Sequence, residues 1–205
     1  MTGTAKVVVR AVVATLVLAV ITGLLYPLAM TAVAQVVFKH KADGSLATQD
    51  GQVLGSTLIG QEWKGPEWFY GRPSAISTPA GAYDASTSSG SNQGPLSEAL
   101  AKVIEDRAKA IADLEGPWHP GLTTAQIPVD LLTASGSGLD PDVSPEAAMF
   151  EAPRVAAKRD LPLAEVEQLV RDHTSGPTLT FLGEPRVNVL ELNLALERAA
   201  AEQRH

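Results

Sequence analysis

Residues 11–38 read AVVATLVLAVITGLLYPLAMTAVAQVVF, 28 consecutive positions without Asp, Glu, Lys, Arg or His. A helix rises 1.5 Å per residue, and about 20 apolar residues cross a hydrocarbon layer ~30 Å thick, so this stretch suffices for a membrane span. Its apolar character runs through Ala29, Val33 and Val37. That exceeds the 7–15 apolar residues usual in a cleaved leader, which favours a retained helix. Pro27 lies inside it and predicts a kink whose freed carbonyl needs another partner. Gly23 adds a small surface close by, and the pair hints at packing against other membrane helices.

The flanks carry nearly equal positive charge, Lys6 and Arg10 ahead of the span and Lys39, His40 and Lys41 after it. The positive-inside rule then only leans toward an inner N-terminus and an outer soluble part. The chain of 205 residues has a formal net charge of −7 and no cysteine. The 167 residues after Phe38 hold all 23 acidic side chains but 14 of the 16 basic ones, for a net charge of −9. A part of that size can bury one core. The expected organisation is a flank (1–10), a transmembrane helix (11–38) and a single compact mixed α/β soluble domain (39–205). The acidic balance argues against nucleic acid as a partner. Disulfides, thiolate metal sites and cysteine nucleophiles are excluded by composition.

Along the soluble part, Val53–Leu54 and Leu58–Ile59 read as short strands. Trp63, Trp68, Phe69 and Tyr70 crowd into one segment and predict a hydrophobic plug in the core rather than a ligand cage. Helical periodicity begins after Ser97, a plausible N-cap, and ends at Gly116 and Pro117. Residues 128–132 suggest a short apolar strand, and TASGSGLDP (133–141) is turn chemistry throughout. Ser144 and Pro145 open a helix through Ala156 that Pro153 is expected to kink or break. A third helix fits Leu163 to His173, and a last one, running to about Ala200, starts with the N-x-x-E capping pattern of Asn188 and Glu191.

Most catalytic motifs are missing. There is no phosphate-binding G-x-x-x-x-G-K-[ST], no dinucleotide G-x-G-x-x-G and no G-x-S-x-G elbow. His40, His119, His173 and His205 are scattered without carboxylates at ligand spacing, so no metal site is expected. Ser135 and Ser137 are conceivable nucleophiles of a membrane-tethered serine hydrolase, but no base sits at a meaningful position and a structured turn is the simpler reading. The loop STSSGSNQG (86–94) alone has a composition suited to anion recognition, with unobstructed amides, hydroxyls and a helix start just behind it. A solvent or partner-docking loop has the same composition.

The ordered blocks GRPSA (71–75), YDASTSSGSNQGP (83–95), PVDLLTASGSGLDP (128–141), SPEAA (144–148), PRVA (153–156) and GEPRVNVLELNLAL (183–196), behind a span containing TGLLYP (22–27), together resemble the C subunit of the Kdp-type potassium-transporting ATPase. The resemblance covers nearly the whole chain. It implies an accessory subunit of a high-affinity, ATP-driven potassium uptake complex in a prokaryotic inner membrane. The implied partners are a channel-like potassium-binding subunit and a P-type ATPase subunit. The D-K-T-G phosphorylation sequence is absent here, in keeping with a non-catalytic role. The family's C subunit is described as a catalytic chaperone that raises the ATP affinity of the pump subunit, so ATP would be met through that subunit. The loop residues Ser88, Ser89, Gly90, Ser91, Asn92 and Gln93 are similar to a transporter-ATPase signature, with Ser89 where the family pattern has glycine. Gln93 is the first residue to test. ATP is cytoplasmic, however, and a domain on the outer face cannot touch it. In that case the loop docks on the channel-like subunit or covers the potassium entrance, where an acidic surface enriches cations.

Overall fold

The computed structural model describes residues 3–49, 51–79 and 81–203. The chain divides into two compact units, 1–46 and 47–205. The first is dominated by a helix from Gly3 to Val37, the one helix among the described residues long and apolar enough to cross a membrane. It comprises α1 (Gly3–Val20), a π-helical turn (Ile21–Leu25) and α2 (Tyr26–Val37), followed by the short α3 (Lys39–Ala42). The wide turn answers the problem set by Pro27. Proline has no N–H to give the carbonyl four residues back, and its ring crowds that carbonyl. One turn therefore opens, and the Tyr26 N–H returns to the Ile21 carbonyl, five residues back. A Cβ built on Gly23 meets nothing within 4 Å, which leaves this stretch of the helix open.

The second unit is an α/β domain. Strands β1 (Leu46–Gln49) and β2 (Gln52–Ser56) form a two-stranded sheet. A long irregular segment then leads to α4 (Glu98–Glu115), where the Ser97 hydroxyl accepts from the Leu100 N–H. After a 3₁₀ turn (Thr124–Gln126) come α5 (Val129–Leu132), β3 (Asp142–Val143), α6 (Pro145–Arg159), α7 (Leu163–Asp172), β4 (Thr174–Ser175), β5 (Arg186–Asn188) and α8 (Val189–Glu202). The second sheet is antiparallel in the order β3-β5-β4, with Val187 opposite Val143 on one side and Thr174 on the other. Its centre and the inner faces of α6, α7 and α8 share one core, built on Ala152, Val155, Val166, Val170, Val187, Leu192 and Leu196 with Phe69 inserted from the irregular segment.

Three expectations need correction. Residues 129–132 are one helical turn, not a strand: Thr133 donates to Val129 from both its N–H and its hydroxyl, which closes the turn. Leu58 and Ile59 lie in a turn closed by the Ile59 N–H on the Ser56 carbonyl. Pro153 does not break α6, which continues to Arg159 and ends on Asp160 in the left-handed conformation at φ 57°. The lost N–H is tolerated because Ala152, Val155 and Ala156 around it are buried and hold the helix by packing. The Asn188 cap is present, with its side chain accepting from the Glu191 N–H.

Candidate functional site

The aromatic segment is a strap laid across α6 and α8 and anchored by buried polar side chains. Asn193, wholly buried in α8, accepts from the Phe69 N–H and donates to the Phe69 carbonyl, both at 3.0 Å. Its amide thus satisfies both backbone groups of one residue, as a neighbouring strand would. On α6, the buried Arg154 gives Nε to Glu115 at 2.6 Å and Nη1 to the carbonyls of Trp68, at 2.9 Å, and Pro66. Its Nη2 lies 3.1 Å from Glu151, which also accepts from the Tyr70 N–H. Two buried carboxyl groups share one guanidinium, which can balance the charge of only one of them. Burial pushes the Glu151 carboxyl up to about 8 against the pull of Arg154, and burial raises Glu115 as well. Arg159 stacks 3.8 Å from the Trp68 ring centre, and the Trp63 ring packs tilted against Trp68 at 4.9 Å between ring centres. Phe69 alone of the four aromatics is buried in the core, with Trp63 packed against it, while Trp68 and Tyr70 stay half-buried, so the cluster is a plug only in part.

Held this way, the strap delivers GRPSA to the two serine–glycine loops. Arg72 pairs with Asp140 at 3.1 Å, and the Pro73 carbonyl accepts from the Ser135 N–H. The Ser74 hydroxyl sits between the carbonyls of Ala82 and Gly138. Tyr83 donates its hydroxyl to the Arg72 carbonyl; burial, aided by the Asp140 charge, raises its pKa to about 12, so it remains a neutral donor. Beyond it, Asp84 accepts from Ser86 and Thr78, bonds that lower its pKa and fix the start of the 86–94 loop.

The two loops meet. Ser88 donates its hydroxyl to the Ser137 carbonyl at 3.0 Å. A Cβ on Gly90 would stand 3.0 Å from the Gly136 carbonyl oxygen, and one on Gly138, at φ 72°, 2.7 Å from the Ser89 carbonyl oxygen. These glycines are required by close backbone approach. Ser135 and Ser137 act as turn formers: their hydroxyls lie 3.1 Å apart and accept the N–H groups of Gly138 and Leu139. Neither has a histidine partner among the described residues, for His119 is bonded to the Phe150 carbonyl and His173 to that of Leu169. His205 lies outside the described residues. On the open side Ser88, Ser89, Ser91, Asn92 and Gln93 are exposed, Asn92 has a left-handed φ of 54°, and Leu96 is 96% exposed. Among the described residues no group of three or more His, Asp or Glu is placed to hold a metal ion.

The strap, the second glycine loop and the residues around β3 and β5 also enclose an open cavity of about 500 Å³ lined by Arg72, Asp130, Asp140, Asp142, Glu184 and Arg186. All of these charges but Glu184 are used internally, Arg72 with Asp140 among them. Arg186 pairs with Asp142 at 3.0 Å, and Asp130 accepts from both the N–H and the hydroxyl of Ser144.

Sequence reasoning placed the serine–glycine loops but kept them apart, and it missed Asn193 and the Arg154 cluster. The available signal was periodicity: Asn193 falls on the apolar face marked by Val189 and Leu196, and Arg154 falls beside Val155 on the buried face of α6.

Residues 8–198 match the family model described as KdpC: K+-transporting ATPase, c chain. The chain is 52% identical over 201 residues to the potassium-transporting ATPase KdpC subunit of Bradyrhizobium diazoefficiens, an alignment covering 94% of this chain and 96% of the relative. The subunit of the same name from Rhodopseudomonas palustris is 52% identical over 205 residues, covering 95% and 98%. That from Methylococcus capsulatus is 53% identical over 182 residues, covering 89% and 92%.

Proposed function

The chain belongs to the KdpC family of K+-transporting ATPase c chains, and from that premise we propose that it acts as a non-catalytic accessory subunit whose serine–glycine face docks on a membrane partner. It is part of a potassium-transporting ATPase complex. Its partners in this reading are the channel-like potassium-binding subunit and the P-type ATPase subunit, met in the membrane along the helix surface near Gly23 and Pro27. The soluble domain lies on the outer face of a prokaryotic inner membrane, close to where potassium enters, and its acidic surface concentrates cations there.

The observation that carries the docking role is the bond from Ser88 to Ser137, which turns two low-complexity loops into one fixed surface with Gln93 and Leu96 outermost. A preformed surface loses little conformational freedom on binding. Residues 73–101 contain no Lys or Arg, and the acids among them are Asp84 and Glu98, a poor endowment for gripping a triphosphate. A second reading keeps the same residues and has Gln93 reach ATP held by the pump subunit, raising its affinity. The left-handed Asn92, two residues after Gly90, favours that reading, since such turns expose successive amides. Potassium-stimulated ATPase of the assembled pump separates the two. Docking predicts that Gln93→Ala weakens subunit association and leaves the KM for ATP unchanged in whatever complex forms. A raised KM with intact association supports nucleotide contact.

A further inference from the structure

We propose that the turn Leu179–Leu182, at the tip of the excursion between β4 and β5, is an apolar plug that seats in an apolar, basic-rimmed pocket of a partner subunit of the same pump. This rests on the reading of the chain as a subunit and adds a second contact surface, one without the serine–glycine loops. Leu179, Phe181 and Leu182 are 71%, 74% and 51% exposed. Together they form a contiguous exposed apolar tip of roughly a few hundred Å², the size of the largest patch on an ordinary monomer, which is often functional. Residues 174–183, TSGPTLTFLG, carry no charge.

The turn is built to present them. Thr178 and Leu182 exchange N–H to carbonyl bonds at 2.8 and 2.9 Å, and the Thr180 N–H bonds the Pro177 carbonyl. Leu179 and Thr180 both stand at positive φ, 53° and 71°. A turn that merely linked two strands would place Gly or Asn there, because a β-branched residue in that conformation is strained. Here strain is accepted and large apolar side chains are kept at the tip. Such a preformed tip suits an anchor that fills a pocket, and it supplies part of the ~800 Å² that one partner contributes to a standard interface.

Charge points to protein rather than lipid as the occupant. Membrane-surface segments carry Lys or Arg beside their apolar face, with Trp or Tyr at the headgroup level. Beside this tip stands the exposed Glu184, which anionic headgroups repel, and the nearby Arg186 is committed to Asp142. A carboxylate at the edge of an apolar plug calls for a positive rim on the receiving pocket.

The chain has no cysteine, so single thiols report directly. In the full chain, Phe181→Cys is compared with Lys109→Cys on the exposed face of α4, and Thr180→Cys serves as a second probe of the tip. Maleimide labelling is timed for the chain alone in detergent, alone in phosphatidylcholine/phosphatidylglycerol vesicles, and in the assembled pump. The expected result is labelling at 181 and 180 slowed about tenfold or more only in the assembled pump, with 109 unchanged. Equal rates at 181 in all three settings overturn the proposal, and so does slowing already complete in vesicles, which assigns the tip to lipid. Failure of the unmodified chain to co-purify with any other pump subunit removes the subunit reading itself.

Discussion

Ser88 and Ser137, 49 residues apart in the chain, are joined by a single hydrogen bond from the hydroxyl of the first to the carbonyl of the second at 3.0 Å. Glycines on both sides of that bond have no room for a side chain, so contact between the two loops is a property of their backbones. A substituent at Gly138 meets both Ile76 and the Ser89 carbonyl at 2.7 Å and must also accept a φ of 72°. Gly138→Ala is expected to cost about 1–3 kcal/mol, read as a lowered thermal midpoint of the full chain. Gly90→Val should also lower the midpoint and, by parting the two loops, weaken association with the pump, because a Cβ there already stands 3.0 Å from the Gly136 carbonyl oxygen.

Arg154 holds two carboxylates and two carbonyls at zero exposure. Arg154→Met leaves Glu115 and Glu151 buried without a counter-charge and should destabilise the domain by about 3–5 kcal/mol. Arg154→Lys is expected to recover only part of this, since an ammonium cannot reproduce the forked set of donors. Denaturant unfolding of the three chains gives the ranking.

Stability should also fall with rising pH through this cluster. The Glu151 carboxyl has its pKa raised from 4.5 to about 8 in the folded chain, so the folded state binds that proton more tightly than the unfolded state. Its stabilising contribution is complete below the unfolded value and is lost as pH rises toward and through the folded one. The charged groups facing it are Arg154, Glu115 and Asp130, and the Tyr70 N–H points at its oxygen. Glu151→Gln, which still accepts from Tyr70, should flatten the dependence of the thermal midpoint between about pH 5 and pH 8. An unaltered slope would contradict this assignment.

Asn193→Leu fills the same space but orphans the Phe69 N–H and carbonyl, both buried. A loss of about 1–3 kcal/mol for each group is expected. Hydrogen exchange at the Phe69 amide should accelerate before global unfolding, because the strap is released from α8 while the helices remain packed.

The long apolar helix, the caps at Ser97, Ser144 and Asn188 and the helical faces of α4, α6 and α7 were legible because each is a local pattern of spacing or capping chemistry. Residues 128–132 were misread because a short apolar-rich run fits a strand or a helical turn equally well. Pro153 misled for a different reason: local propensity predicted a break, and the packing of Ala152, Val155 and Ala156 overrode it. The strands β3, β4 and β5 are two or three residues long and leave no periodicity to detect. The meeting of the 86–94 and 133–141 loops was illegible as well. It depends on where the strap is anchored, and that is decided by Asn193 and Arg154, polar residues on helical faces that otherwise read as apolar core.

The central claim is that the serine–glycine face contacts a protein partner, and a photo-crosslinking side chain placed at Gln93 in the intact, membrane-embedded pump tests it most directly. The account predicts a covalent adduct between this chain and another pump subunit, formed equally with and without ATP. Absence of a protein adduct, together with incorporation of a labelled ATP analogue at position 93, would contradict it.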